Sequence, residues 1–397
     1  SLDNGTPFTL GSMTTKDSDG RTILKQDISL APDKYDTHNI KIWIDSETPE
    51  SEIGKTISLK IYAYGEVCED GECNGGKTDY TKQIISQLDT TGKCPTVNED
   101  GSINVTGAEA TDGYLCKAKD AYGDSYYYRG NVTNNYVKFA DKYWRIVRIN
   151  GDGTVRVIYD GTSAHANGES SSDRQIGTSA FNSSYNDNAY VGYMYGTTGA
   201  STYAAAHANT NDSTIKAYID NWYKANILAT ANEEYLADNI FCNDRSISSN
   251  KPRSSYNNLG YGTNATAYRW YDFANSSYNN KMMLTCPQQN DAFTVSDTTK
   301  GNGALTYPVG LLSTDEIVLA GGWSASNSGY YLYSGQIWWA SSPYNFNGDC
   351  AGVRSVHSDG IANDGHFVDS SYGVRPVFNL KAEVLAQGSG TASDPYR

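Results

Sequence analysis

No stretch of apolar residues in this chain approaches the roughly 20 needed to cross a bilayer, and its first residues do not read as a cleavable leader. The chain starts at Ser1 rather than Met, so a membrane or cell-wall anchor is expected upstream. Positive charge is scarce: 31 Lys and Arg against 45 Asp and Glu leave a formal net charge of −14. Such a surface repels polyanions and lacks the basic footprint of DNA- or RNA-binding proteins, so nucleic acid is not expected as a partner. No CxxC pair occurs among the seven cysteines, and the five histidines show no zinc spacing beside them, which argues against a structural zinc site. Only 4 Met and 9 Phe are present.

What is abundant is tyrosine, 32 residues, with 38 Gly and many Asn and Ser. That composition suits a β-rich, loop-rich surface protein, because Tyr offers a rigid contact face and a hydroxyl at low entropic cost. The cysteines read as disulfides formed in an oxidising compartment. The expected pairs are Cys242 with Cys286, Cys94 with Cys116, and Cys68 with Cys73. Closing the Cys242–Cys286 loop, about 45 residues, is worth roughly 3–5 kcal/mol on the entropic account. Cys350 is left over.

Along the chain, Ile40, Ile42 and Ile44, then Ile57, Leu59 and Ile61, alternate with polar or amphipathic residues. Period-two alternation marks half-buried strands, and residues 1–79 read as a small all-β, Ig-like sandwich acting as a spacer. Residues 80–397 form a second, α+β domain. Its strongest local signal is WRIVRINGDGTVRVIYDG, a hairpin with Asn150–Gly153 supplying the tight turn. Residues 161–210 are poor in apolar side chains and read as surface loops. Ile215, Tyr218, Ile219 and Trp222 recur at helical spacing after the cap candidates Asp212 and Ser213. A short helix is expected around Glu233–Asp238, and Asn243-Asp244-Arg245 reads as a salt-bridged turn beside the Cys242 disulfide. Ser313 and Glu316 form a capping box for another helix that Gly321-Gly322 ends. The tail after Leu385 is polar and Gly/Ser-rich, so the fold is expected to finish there.

The segment from Trp338 to Val377 is of another kind. A sparse frame (Pro343, Val353, Val356, Gly360, Val368, Gly373, Pro376) alternates with side chains of unrelated chemistry: Asp349, Cys350, Arg354, His357, Asp364, His366, Phe367, Asp369 and Tyr372. One of Trp338 and Trp339 is expected to be buried, since neighbours on a strand face opposite ways. His357, Asp359, Asp364, His366 and Asp369 could be assembled into a mixed N/O metal site, and Cys350 could be paired with His357 or His366 as a nucleophile. Loop polarity accounts for the first, and the second has no orienting third group.

Residues 113–385 resemble the C-type-lectin-fold domains of surface proteins of Gram-positive gut bacteria, a fold shared with formylglycine-generating enzymes and the variable proteins of diversity-generating retroelements. The likeness rests on YYYRGNVTNNYVKFADKYWRIVRINGDGTVRVIYDG, on FCNDRS with LTC, on YPVGLLSTDEIVLAGG, and on the ending WWASSPYNFNG…SDG…GVRPVFNL. IWID and IGKTISLKIYAYGE are similar to the Ig-like module that often precedes such domains. The resemblance implies a C-type lectin fold whose C-terminal face, 338–377, carries diversified residues. Those are Trp338, Tyr344, Asn347, Asp349, Cys350, Gly352, Arg354, Ser355, His357, Asn363, Asp364, His366, Phe367, Asp369, Ser371 and Tyr372. Cys350 fits, being one outcome reachable by mutagenesis of an Asn codon. The EPN, QPD and WND triplets of calcium-dependent sugar binding are missing, as are the paired reactive cysteines of the formylglycine-generating enzymes.

The expectation is therefore a monomeric, non-enzymatic, cofactor-free binding protein on a bacterial surface, recognising a protein or glycan on another cell or host. A phage receptor-binding tail protein, an enzyme of the same fold and a structural cell-wall protein with no variable face are the alternatives. If the face is diversified, genomic DNA carries a near-copy of the segment encoding 338–377 that differs chiefly at adenines, beside a reverse transcriptase; sequencing the locus and finding no repeat removes the retroelement.

Overall fold

A tight turn organises the first sheet. Gly153 takes a positive φ of 82° in the Asn150–Gly153 turn, and Asn150 N–H donates to Thr154 C=O at 2.8 Å, closing the hairpin. The computed structural model describes residues 80–397 except 107, 109, 250–254, 273–280, 323–325 and 363. The Ig-like module, the Cys68–Cys73 pairing and Asn363 lie outside the described residues.

The hairpin strands belong to a set comprising β1 (Tyr114–Asp120), β2 (Gly123–Arg129), β3 (Tyr136–Phe139), β4 (Lys142–Ile149) and β5 (Val155–Gly161). The chain's late strand β12 (Val377–Leu380) returns to pair antiparallel with β5, giving the order β12-β5-β4-β2-β1, with β3 on β4. A second six-stranded sheet holds β6 (Thr178–Ala180), β7 (Thr266–Ala267), β8 (Trp338–Phe346), β9 (Ala351–Val356), β10 (Asp364–Phe367) and β11 (Ser371–Gly373). Its order is β10-β9-β8-β11-β6, with β7 on the far end of β8. Helix α1 (Thr214–Asn226) is capped by Ser213, and α2 (Thr314–Ala320) carries the full Ser313/Glu316 capping box. The protein is thus mixed α+β with more strand than helix.

Several expectations are met in detail. Cys94–Cys116 and Cys242–Cys286 are bonded, Cys350 is free, and Asp244 and Arg245 form ion pairs with Arg269 and Asp291. Two are corrected. The loops 161–210 send Phe181, Val191 and Tyr193 fully into the core, because scattered apolar residues can fill gaps between sheets without forming a regular element. The polar tail does not stop at Leu385: Tyr396 is buried, and its backbone pairs with Tyr136 and Lys138 beside β3. The region around Glu233 forms one 3-10 turn, Glu233–Tyr235.

The basic residues of β4 and β5 are the main surprise. Alternation with apolar neighbours would put them in solvent, yet Arg145, Arg148 and Arg156 are all buried. Each meets carboxylates brought from elsewhere. Glu316 of α2 binds Arg148 at 3.2 Å and Arg156 at 3.0 Å, and Asp120 takes Arg148 at 2.5 Å. Asp160, with no exposure, accepts from Arg174 Nε and Arg375 Nη2 at 2.8 Å each, with Arg145 at 3.8 Å. The surplus guanidinium donors go to backbone carbonyls of Val132, Tyr331, Leu332 and Tyr159. Burial pushes Arg375 down to about 10, with Asp160 pulling the other way, so it stays charged at neutral pH.

Breaking a buried ion pair from one side leaves an uncompensated charge, which costs about 3–5 kcal/mol. Asp160→Asn should therefore lower the unfolding free energy by that order in urea titration; a change below about 1 kcal/mol would show that the carbonyls alone hold the arginines.

Candidate ligand-binding face

Strand β9 lies between β8 and β10, in register Trp339↔Ser355, Pro343↔Val353 and Asn345↔Gly352 on one side and Gly352↔Phe367, Val353↔His366 and Arg354↔Gly365 on the other. Because side chains alternate across a strand, this register sorts the candidate residues into a frame and a surface.

The frame takes more of them than the sequence suggested. Val353, Val356 and Val368 are buried as expected. Both tryptophans are buried too, not one: Trp338 lies under the Arg375 guanidinium, 5.0 Å from its ring centre, and Trp339 packs against Phe181 on the other side. The sheet is covered on both faces at that end, so alternation exposes neither. Gly352 and Ser355 are buried, and Arg354 has no exposure at all. Its guanidinium lies 4.4 Å from the centre of the Tyr344 ring, and Nη2 donates to Trp270 C=O. Tyr344, half-buried, stacks on Tyr271 at 4.9 Å and lies against Gly365, where a Cβ would come within 2.2 Å of its ring. The mixed chemistry of the segment is therefore partly the chemistry of its floor.

The surface residues divide between two ends of β9, roughly 17 Å apart for six residues at about 3.3 Å each. At one end are Asn347, Asp349 and Cys350 of the β8–β9 tip, with Phe367 and Asp369 on the neighbouring strand and turn. Phe367 is 48% exposed and Tyr185, whose C=O accepts from Ala351 N–H, is 43% exposed. Asn347 is a turn-former as well as a surface residue: its Oδ1 accepts from the N–H groups of Asp349 and Cys350 at 2.9 and 2.8 Å. At the other end His357 faces Asp359, Nδ1 to Oδ1 3.3 Å. His366, Ser371 and Tyr372 occupy the sheet between; the His366 ring meets Tyr372 edge-on at 4.7 Å, and Tyr372 leans on Trp339 at 5.1 Å. Asp364 sits on β10 opposite Ser355.

This layout bears on the chemistries raised from the sequence. Cys350 and His357 sit at opposite ends of β9, so they do not form a pair. Partial burial, then the carboxylates of Asp369 and Asp349, push the Cys350 thiol above its ordinary value, the reverse of an activated thiolate. His357 and Asp359 are likewise separated from Asp369 by the length of the strand, and no cluster of three metal-ligating side chains occurs among the described residues. One contact was not foreseen: Ser355 Oγ and His366 Nδ1 are 2.8 Å apart. Ser355 is fully buried beside Trp339, which leaves its hydroxyl inaccessible to a substrate. Tyr185 was also missed, since nothing in the sequence separates it from 31 other tyrosines.

Substitution to Ala should distinguish frame from surface. Asp349, Phe367 and Asp369 should change stability by less than about 0.5 kcal/mol each, whereas Arg354→Ala should cost about 2–4 kcal/mol through lost packing. Thermal melts of the four variants decide this; an Arg354→Ala protein as stable as its parent would return that residue to the surface.

Residues 207–382, a span that includes the whole of β8 to β12, match the model of a family described as a domain of unknown function (DUF6273). No curated protein and no solved structure matches the chain.

Proposed function

We propose that the protein is a non-enzymatic, surface-displayed binding protein whose ligand contacts the end of the second sheet formed by Asn347, Asp349, Cys350, Phe367 and Asp369, with Tyr185 at its side. The observation that carries this reading is the separation of roles along single strands. Arg354, Ser355 and both tryptophans are buried beneath, while the β8–β9 tip and the β10–β11 turn expose Asp349, Phe367 and Asp369. A face built this way can change its side chains without moving its backbone, which limits the ordering cost of binding. Exposed aromatics flanked by adaptable polar groups are the usual anchors of such contacts.

The finer fold assignment belongs to the same proposal. The return of β12 to β5, the two disulfides and the second sheet built largely from C-terminal strands support a C-type lectin fold of the retroelement variable-protein kind. The disulfides support an extracellular, bacterial-surface location. His357, at the opposite end, with His366, Ser371 and Tyr372 then forms the margin of the site, and Trp338, Gly352, Arg354 and Ser355 its support; Asn363 and Asp364 are further candidates for that margin. The ligand is a protein or glycan on another cell or host surface.

A library randomised at Asp349, Cys350, Phe367 and Asp369 tests the reading in the full chain. Most members should remain soluble with melting temperatures within a few degrees of the parent, and selection against an arbitrary protein such as lysozyme should yield binders. A matched library at Trp338, Arg354 and Ser355 should be largely unfolded. Collapse of the first library would sink the display reading.

A further inference from the structure

A second recess lies on the first sheet, away from the face just described. Its volume is about 410 Å3, inside the range of about 300–1,000 Å3 that ligand pockets occupy. Leu115 and Tyr128, directly paired across β1 and β2, line it together with Val132. Gly113, Tyr114, the segment Asn131–Asn134 and Gln87 complete the lining. No Lys, Arg, His, Asp or Glu is among the lining residues, in a chain that carries a net charge of −14.

The hydrogen-bonding groups there are incompletely used. Asn131 Oδ1 accepts from Asn167 Nδ2 at 2.7 Å, which leaves the Asn131 amide donors. Asn134 Nδ2 donates to Gln87 Oε1 at 2.6 Å, which leaves the Asn134 carbonyl oxygen. Thr133 is exposed. Tyr128 is 2% exposed, so it belongs to the floor of the recess and not to the groups offered to a ligand.

We propose that this recess is a subsite for a neutral oligosaccharide. Each sugar hydroxyl both donates and accepts, which matches side-chain amides and hydroxyls offering one free function each. The absence of charge in the lining disfavours phosphorylated, sialylated or uronic acid-containing glycans, which would lose hydration and find no counter-charge. An added peptide strand is disfavoured for another reason. The outer edge of β1 is already bridged in parallel by Leu88 at Leu115 and by Leu284 at Asp120, so an added strand would have to displace both bridges. The site is independent of the C-terminal face, and either can fail without the other.

The test uses the full chain and an immobilised panel of neutral tetrasaccharides (gluco-, manno-, galacto- and N-acetylglucosamine) with sialylated and uronic acid counterparts. Thr133→Trp fills the recess from an exposed position, and Asn131→Leu, also at an exposed position, removes the unused amide donors. The expected result is binding of at least one neutral tetramer, abolished by Thr133→Trp and weakened at least fivefold by Asn131→Leu, with neither variant melting more than a few degrees below the parent. No binding across the panel, a preference for the charged members, or binding that survives either substitution unweakened would overturn the proposal. The Asp349, Phe367 and Asp369 variants of the other face should bind the tetramer as the parent does.

Discussion

Asp160 is the point on which the rest of the structure depends. A single carboxylate with no solvent exposure faces three guanidinium groups, Arg145 from β4, Arg174 from the loop before β6 and Arg375 from just before β12. A charge in a low-dielectric interior is tolerated only with opposite charge held close to it. That demand ties three distant parts of the chain to one geometry. Arg375 also lies over Trp338, so the network that closes the first sheet seats the first residue of β8 as well. The frame of the proposed binding face is positioned by an electrostatic constraint that lies outside the face.

The parts of this fold that could be read in the sequence are those set by local chemistry. The Asn150–Gly153 hairpin, the Ser213 cap and the Ser313/Glu316 box each need only a few adjacent residues, and each is where it was expected. Two of the three expected disulfide pairs, Cys94–Cys116 and Cys242–Cys286, are formed as expected. The buried arginines were not legible. Arg145 and Arg156 alternate with apolar residues as solvent-facing residues do, and only the arrival of Asp160 and Glu316 from other strands and helices makes their burial possible. The same holds for Tyr396, whose place in the core depends on a strand some 260 residues earlier in the chain.

The candidate site was legible as a segment but not as a surface. Its chemical variety is visible in the sequence, whereas the division of that variety depends on register. Arg354 pairs across to Gly365, which puts a guanidinium where a bulkier neighbour would leave no room for the Tyr344 ring. Phe367 and Tyr185 are each tied to the start of β9, the first by pairing with Gly352 and the second by accepting from Ala351 N–H, a bond across some 166 residues of chain. No spacing rule connects them.

Gly365 has a consequence for how such a protein can evolve. The Tyr344 ring occupies the space its side chain would take, and the same ring stacks on Tyr271 and lies under Arg354. A codon change there would not add a letter to the recognition alphabet; it would lift an aromatic plate on which two other residues rest. Strand β10 is thus written in two scripts, with Phe367 free to be respelled and Gly365 held silent two residues earlier. A lineage that varies this surface must carry that punctuation unchanged, whatever its ligand becomes.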